Sequence, residues 1–206
     1  MSAPDDLGAA ALTGPRTEGV RPWRKTGERS LVRDRWIDLR GEAWETGRGV
    51  SLDPWYMLHW RPWVHVVAIT PDDRVVMVRQ FRPGAAEALL ELPGGIVDED
   101  GEGAIMRAGE RELGEETGYT AEDFIPYAAP FNDPAHATNR VHFLFARNAR
   151  PTGAQRLDEA EDIQVETPTI TELLEGLPRG MVAHASHIGT LYLGLLAAGR
   201  IAVTPR

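Results

Sequence analysis

One predicted helix that carries three closely spaced glutamates constrains this chain more than any other feature. Apolar residues at helical spacing predict a helix over residues 104–117. Glu112, Glu115 and Glu116 stand at spacings of three and four, which places their side chains on one face of that helix. Like charges this close repel each other, so a positive group must compensate them. A divalent cation is the natural candidate, because hard cations bind clustered carboxylate oxygens.

The residues around this glutamate face favour a metal site. Gly94 and Gly95 precede the helix, and the backbone carbonyls of such a turn can bind a metal ion. Arg111 can orient a carboxylate with its forked guanidinium, and Gly118 stands where a left-handed residue commonly ends a helix. The alternative is a solvated helix face on which Arg111 pairs with Glu115. The coincidence of these features favours the first interpretation.

The composition limits the classes of function. A length of 206 residues with 42% hydrophobic residues suits one soluble globular domain with short extensions. The net charge of −9 argues against nonspecific binding of nucleic acid or anionic membranes, although a small polyanion can still bind together with a cation. The absence of cysteine excludes disulfides and thiolate chemistry. No apolar run approaches the roughly 20 residues of a membrane span, and residues 1–17 do not resemble a signal peptide. We therefore expect a cytoplasmic protein.

The order of the predicted elements indicates three regions. Residues 1–20 are rich in alanine, glycine and proline, and we expect them to form a flexible arm. Residues 21–62 are predicted to form short strands, and residues 63–206 alternate strands with helices. This order predicts an α/β (α+β) fold with a mixed β-sheet. The elements predicted in the last region are strands at 63–69, 75–78, 89–92, 141–146 and from 163, and helices at 104–117, 169–177 and 186–198.

The segment from Gly95 to Tyr119 resembles the signature of the Nudix hydrolases, G-x5-E-x7-R-E-U-x-E-E-x-G-U, in which U is apolar. The part from Arg111 onward matches at each fixed position. The first part is longer, since six residues separate Gly95 from Glu102 and eight separate Glu102 from Arg111. We interpret this as a two-residue expansion of the loop. The resemblance implies an α/β/α sandwich with a mixed sheet and the hydrolysis of a nucleoside diphosphate linked to another moiety.

The resemblance also implies roles for the residues of the signature. Glu112, Glu115 and Glu116 would bind Mg²⁺ or Mn²⁺ together with Gly95, and Arg111 would orient the carboxylates during catalysis. The chemistry fits, because a phosphoanhydride resists attack until a divalent metal neutralises its oxygens and activates a water molecule.

A second acidic segment, from Leu157 to Ile163, supplies a candidate general base. Its D-E-x-E-D-I pattern is similar to the loop that carries the catalytic glutamate in the ADP-ribose pyrophosphatase branch of the family. The resemblance implies Glu159 as the base, with Glu161 as a supporting metal ligand or as the base itself. The alternative is a solvated loop without a catalytic role.

Two further segments resemble the substrate-binding parts of that branch. Residues 78–83 and 90–95 are similar to the strand and loop before the signature, which implies that Arg82 contacts phosphate and that Glu91 belongs to the substrate site. Pro134 stands 15 residues beyond Tyr119, where this branch carries a proline. Its surroundings resemble the Asn-Pro-Ala variant of bacterial nucleotide-sugar hydrolases, with an Asp inserted.

The histidines are interpreted mainly as structural residues, and the tryptophans as residues of the core and of an interface. We expect no histidine pair of the H-x-x-H type to find a third metal ligand, so the six histidines are taken as structural, with His136 beside Pro134 as the substrate-binding exception. In this branch the N-terminal strands commonly pair across a homodimer and stack a nucleobase. The resemblance therefore implies a homodimer through residues 21–62, with Trp55, Tyr56 and Trp60 as candidates for stacking.

Taken together, these features predict a Mg²⁺-dependent pyrophosphatase that acts on ADP-ribose or a related nucleoside diphosphate sugar. The expected partner is that small-molecule substrate, without nucleic acid or membrane. Two alternatives remain: an ADP-ribose-binding regulator with a Nudix-like fold and weak catalysis, and a hydrolase of another nucleotide such as a dinucleoside polyphosphate.

Overall fold

A computed structural model describes residues 19–204, which divide into two compact units. Unit 1 comprises residues 19–61 and 130–140, and unit 2 comprises residues 62–129 and 141–204. The flexible arm predicted for residues 1–20 lies almost entirely outside the described residues. Residues 130–140, which the sequence assigned to the region 63–206, pack with unit 1. Within the described part of the chain, no helix is both long enough and apolar enough to span a membrane.

Unit 1 is built on an antiparallel sheet of three strands, β1 (Arg24–Arg33), β2 (Asp38–Glu45) and β3 (Ser51–Leu58), in sequential order. The middle strand carries a buried carboxylate, Glu42, which is 2% exposed. Lys25, His59 and the indole of Trp44 contact this carboxylate at 2.5, 2.9 and 2.9 Å. A buried charge needs such partners, and here they join the strands at one point.

Unit 2 is built on a mixed sheet of seven strands in the order β12-β5-β4-β10-β9, with β6 paired to β5 and β7 to β4. The parallel pair is β4 with β10, and the other pairs are antiparallel. The strands are β4 (Trp63–Ile69), β5 (Val75–Arg82), β6 (Glu87–Glu91), β7 (Gly94–Ile96), β9 (Asp123–Ala128), β10 (Val141–Arg147) and β12 (Ile163–Glu166), while β8 (Tyr119–Thr120) and β11 (Arg150–Pro151) pair with each other.

Helices cover both faces of this sheet because the central strands are apolar on both sides. On β4, Val64 and Val66 pack in one core with α1 (Ala104–Thr117). Val67, of opposite parity, packs in a second core with α2 (Ile170–Gly176) and α3 (Ala185–Ala197). A short 3₁₀ turn at Leu177–Arg179 joins the last two helices. The arrangement is an α/β/α sandwich, which confirms the predicted fold class.

The helix that carries the glutamates has the predicted bounds. It ends at Gly118, whose φ of 71° is left-handed and whose N–H donates to the carbonyl of Gly114 at 3.0 Å. Ala104, Ala108 and Leu113 anchor its apolar side in the core. The opposite face of the same helix therefore presents Glu112 and its neighbours toward β7 and the loops beside it.

Candidate active site

Arg111 supplies positive charge to the glutamate face of α1. Its Nη2 lies 2.9 Å from Oε1 of Glu112, and its Nη1 donates to Oε2 of Glu115 at 3.0 Å. The guanidinium also donates to the backbone carbonyl of Ile96 at 3.3 Å. Both arrangements that the sequence allowed are thus present: the pair four residues apart and the contact with the first glutamate.

Glu116 faces Gly94 and Gly95, the first two residues of β7. Its Oε2 accepts the N–H of Gly94 at 2.9 Å, and the residue is only 4% exposed. Gly95 lies so close to Glu112 that a Cβ on this residue would overlap the carboxylate. Glycine at this position therefore lets the glutamate face pack directly against β7.

Burial makes two of these carboxyl groups reluctant to ionise. It is the largest influence on Glu116 and raises its pKa to about 8, with the nearby charges of Glu112 and Glu161 adding to the shift. Burial also raises the pKa of Glu112, against the lowering effect of Arg111. A hard divalent cation favours the ionised form of such groups, and carboxylates are the ligands that it prefers. The donor set on α1 therefore fits a divalent metal.

The three glutamates of α1 are nevertheless spread apart. Within residues 19–204, the groups whose ligand atoms all lie within 4.8 Å of one another are Glu91, His184 and His187, and separately Glu28, Glu42 and His59. The spread has local causes, because Arg111 holds one oxygen of two of the glutamates and the N–H of Gly94 holds one oxygen of the third.

The acidic loop that follows β11 is fastened to the end of α1. Nε2 of Gln155 donates to the carbonyls of Glu116 at 2.6 Å and Ile163 at 3.0 Å. The N–H of Arg156 donates to the carbonyl of Glu115 at 2.8 Å. These donors satisfy carbonyls that have no partner inside the helix. Gln155 could not be singled out from the sequence, because a single neutral amide in a polar loop forms no pattern.

Both candidate bases, Glu159 and Glu161, lie exposed on this loop. Oε2 of Glu161 accepts the N–H of Asp158 at 2.9 Å, so its side chain closes its own turn. Its negative charge contributes to the raised pKa of both Glu112 and Glu116, after the larger effect of burial.

Glu102 lies on the expanded loop before α1 and is exposed. Its backbone carbonyl accepts a hydrogen bond from Nη1 of Arg107 at 3.1 Å. Gly101 and Gly103, on either side, have φ values of 94° and 77°. A tight turn therefore takes up the two extra residues of the signature.

A second polar cluster lies where β5, β6 and α3 meet. Nε and Nη2 of Arg82 donate to Oε2 of Glu91 at 3.0 and 2.6 Å, and Nδ1 of His184 lies 3.0 Å from Oε1 of the same carboxylate. His187 approaches Oε2 to 3.9 Å. His184 and His187 form an H-x-x-H pair that has Glu91 as a third neighbour with the reach of a metal ligand, a grouping that the sequence did not predict. The spacing of this pair was visible in the sequence, but its partner is 93 residues away.

Pro134 and His136 belong to unit 1, where they meet tryptophans of the three-stranded sheet. The ring of His136 stacks on Trp55 with 5.7 Å between centroids and 4° between planes. The indole Nε1 of Trp55 donates to the carbonyl of Ala135 at 2.9 Å. A cleft of about 350 Å³ opens here, lined by Trp23, Trp44, Trp55, Met57, Pro134 and Ala135.

Known proteins are similar to this chain in sequence and in fold. Residues 59–188 match the NUDIX domain. An ADP-ribose pyrophosphatase of Bacillus subtilis (strain 168) is 33% identical over 113 residues, covering 54% of this chain and 60% of that protein. An uncharacterized Nudix hydrolase of Schizosaccharomyces pombe is 30% identical over 190 residues, covering 82% of this chain and 85% of that protein. A solved structure of an ADP compounds hydrolase has a TM-score of 0.75 at 21% identity, covering 88% of this chain and 98% of its own, and shares the fold.

The chain therefore belongs to the Nudix hydrolase family. This confirms the resemblance of residues 95–119 to the family signature. Enzymes of the family generally act with a divalent metal ion, which agrees with the carboxylate donors of α1.

Proposed function

We propose that this protein is a metal-dependent pyrophosphatase that cleaves ADP-ribose or a related nucleoside diphosphate sugar into a nucleoside monophosphate and a sugar phosphate. The observation that carries the proposal is the glutamate face of α1, packed on Gly94 and Gly95 of β7 and anchored to an acidic loop. The B. subtilis relative, named as an ADP-ribose pyrophosphatase, supports the choice of substrate class.

Glu112, Glu115 and Glu116 would hold Mg²⁺ or Mn²⁺, with the carbonyl of Gly95 as a further ligand. When bound, the metal supplies neutralisation of the pyrophosphate oxygens and a more acidic water molecule. Arg111 keeps the carboxylates of two of these glutamates in place before the ion arrives, since it holds an oxygen of each. Its catalytic role in this proposal is orientation.

The proton of the attacking water would pass to a carboxylate of the acidic loop. Glu161 is supported by its electrostatic effect on Glu112 and Glu116, because its charge contributes to the raised pKa of both groups. Glu159 is the alternative on the same loop. The hydrogen bonds of Gln155 to α1 and to the start of β12 hold this loop beside the helix.

Nucleotide contacts are proposed for each unit by itself. In unit 2, Arg82 would contact a phosphate, because its planar guanidinium matches phosphate oxygens. In unit 1, Trp55 would offer an aromatic face to a nucleobase beside Pro134 and His136, which fits the aromatic lining of the cleft there. A homodimer and a cytoplasmic location remain proposals of the same kind.

The substrate class can be tested by a hydrolysis screen. ADP-ribose, ADP-glucose, GDP-mannose, UDP-glucose and a dinucleoside polyphosphate would each be incubated with the protein and Mg²⁺ or Mn²⁺, and the products separated by chromatography. We expect cleavage of at least one diphosphate sugar to a monophosphate pair. Tight binding of ADP-ribose by calorimetry without turnover of any compound would instead indicate the regulator.

A further inference from the structure

The carboxylate of Glu91 is fully buried and carries an unusual number of donors. Besides the two bonds from Arg82 and the one from His184, Nε2 of Gln80 lies 3.4 Å from Oε2. Burial is the largest influence and opposes ionisation, but the bonds from His184 and Arg82 outweigh it, so the pKa of Glu91 lies below its ordinary value. Glu91 is therefore an ionised group with no access to solvent, which can act only through the side chains that hold it.

A hydrogen-bonded array explains this cluster better than a metal site does. The backbone N–H of Leu92 donates to Nδ1 of His187 at 3.0 Å, so that nitrogen is an acceptor. Neutral His187 must then carry its proton on Nε2, the atom that faces Oε2 of Glu91 at 3.9 Å. A metal on Nε2 would move the proton to Nδ1 and set it against the N–H of Leu92. The ring is thus oriented as a donor to Glu91.

Neighbouring groups hold the His187 ring in place and keep it neutral. His65 stacks on it with 3.9 Å between centroids. The hydroxyl of Thr190 donates to the carbonyl of Ser186 at 2.7 Å, so Nδ1 of His65 must be the donor to that hydroxyl at 3.2 Å. Burial lowers the pKa of both His65 and His187, which keeps the two rings neutral. The array around Glu91 is therefore rigid.

Arg82 is the member of the array that reaches solvent. Its side chain is 43% exposed, whereas that of Glu91 is 0% exposed. It commits Nε and Nη2 to Glu91, which leaves Nη1 as the edge of the guanidinium that can meet an anion. Its partner Glu91 stands three residues before Gly94, whose N–H donates to the carboxylate of Glu116, so the guanidinium is tied to the segment that packs on the glutamate face. An arginine fixed in this way loses little freedom when it binds phosphate.

We infer that His184 is a positioning residue that acts through Glu91 to hold Arg82 in one orientation for a substrate phosphate. This inference rests on the proposed function, because it assumes that Arg82 contacts the pyrophosphate group. His184 donates to one oxygen of Glu91 and Arg82 to the other, so the carboxylate cannot turn while both bonds persist. Removal of the histidine frees Glu91 and, with it, the guanidinium.

The test is a double-mutant cycle on ADP-ribose hydrolysis with Mg²⁺. We expect His184→Ala to raise KM roughly tenfold, the usual cost of one charge-assisted bond, with a much smaller change in kcat. His184→Asn, whose amide nitrogen replaces Nδ1, should recover most of the loss. His184→Ala should add nothing further in an Arg82→Ala background, because the two residues act on one contact. Tyr192→Ala, at an exposed position of α3, serves as the control.

Other outcomes separate the inference from the proposed function. The inference would be overturned if the effects of His184→Ala and Arg82→Ala on KM were additive, or if His184→Ala left KM unchanged. Hydrolysis by the wild type would uphold the proposed function in either case. If the wild type hydrolyses none of the nucleotides, calorimetric binding of inorganic pyrophosphate decides instead: weakened binding in both variants supports the array, and absent or unaltered binding overturns it. One equivalent of zinc lost on His184→Ala would also overturn it in favour of a metal site.

Discussion

At the scale of single residues, the missing Cβ of Gly95 determines where the carboxylate of Glu112 can lie. Gly95 lies against the carboxylate of Glu112, and Gly94 donates its N–H to Glu116. A Cβ added at Gly95 would force the carboxylate of Glu112 to move away from β7. The position of the carboxylates is therefore set by backbone contact with β7 rather than by the glutamates alone.

Gly95→Ala should abolish most activity with little loss of stability. The added methyl group displaces the Glu112 carboxylate, and displacement of a catalytic group by about 1 Å can cost roughly 100-fold in rate. The measurement is steady-state hydrolysis with thermal unfolding as a check on folding. Gly189→Ala, where a Cβ meets nothing within 4 Å, is the matched control and should keep wild-type activity. Equal activity in the two variants would contradict the account.

Buried His65 predicts a specific loss of stability in acid. Burial lowers its pKa from 6.5 to about 3 in the folded protein, so the unfolded chain binds the proton more readily between these values. The contribution of His65 is therefore full above pH 6.5 and is lost as the pH falls toward 3. Urea unfolding at a series of pH values should show a shallower loss in His65→Phe than in the wild type. Parallel curves for the two proteins would exclude this role.

At the scale of elements, hydrogen bonds join the end of α1 to the acidic loop. Backbone carbonyls at the end of the helix accept hydrogen bonds from Gln155 and Arg156, so the position of the loop depends on the end of the helix. The proposed base on this loop would thereby be held at a constant distance from the proposed metal ligands.

Gln155→Ala tests this coupling. Loss of its two bonds should lower kcat roughly tenfold with KM nearly unchanged, because the base is displaced while the phosphate contacts persist. Gln164→Ala, an exposed glutamine on β12, is the control. Hydrogen exchange of the loop should rise in the first variant only. A change confined to KM would count against a role in placing the base.

The sequence predicted the long periodic elements and the local signature, but not the contacts between distant segments. The bounds of α1, its cap at Gly118 and the apolar strand β4 follow from residues close together in the chain. The pairing of His184 with Glu91 depends on a contact over 93 residues, which no local pattern encodes. Strand β7 was also missed, because Gly94 and Gly95 suggest a turn while their strand conformation comes from pairing with β4.

At the scale of the whole molecule, unit 1 offers a surface for the proposed homodimer. Strand β1 is exposed along its length; Val32 on this strand is 47% exposed, and Trp36, three residues after its end, is 72% exposed. Apolar side chains grouped on a strand surface are typical of an interface.

Sedimentation should therefore give a mass near twice the 22.7 kDa of the chain at micromolar concentration. Val32→Glu should shift the protein toward the monomer, since it places a charge in the apolar contact. Val203→Glu introduces the same charge at an exposed site outside unit 1 and should leave the mass unchanged. A monomeric wild type would contradict the proposal.

The central claim is that the glutamate face of α1 holds the metal that hydrolysis requires, and a Mg²⁺ titration of activity tests it most directly. Turnover of the best nucleotide sugar would be measured against Mg²⁺ concentration for the wild type, Glu116→Gln and Glu110→Gln, the last at an exposed position of the same helix. We predict no turnover without metal, a loss of at least roughly 100-fold in Glu116→Gln, and a wild-type curve for Glu110→Gln. Turnover that persists after metal removal, or an active Glu116→Gln with an unchanged Mg²⁺ curve, would contradict the claim.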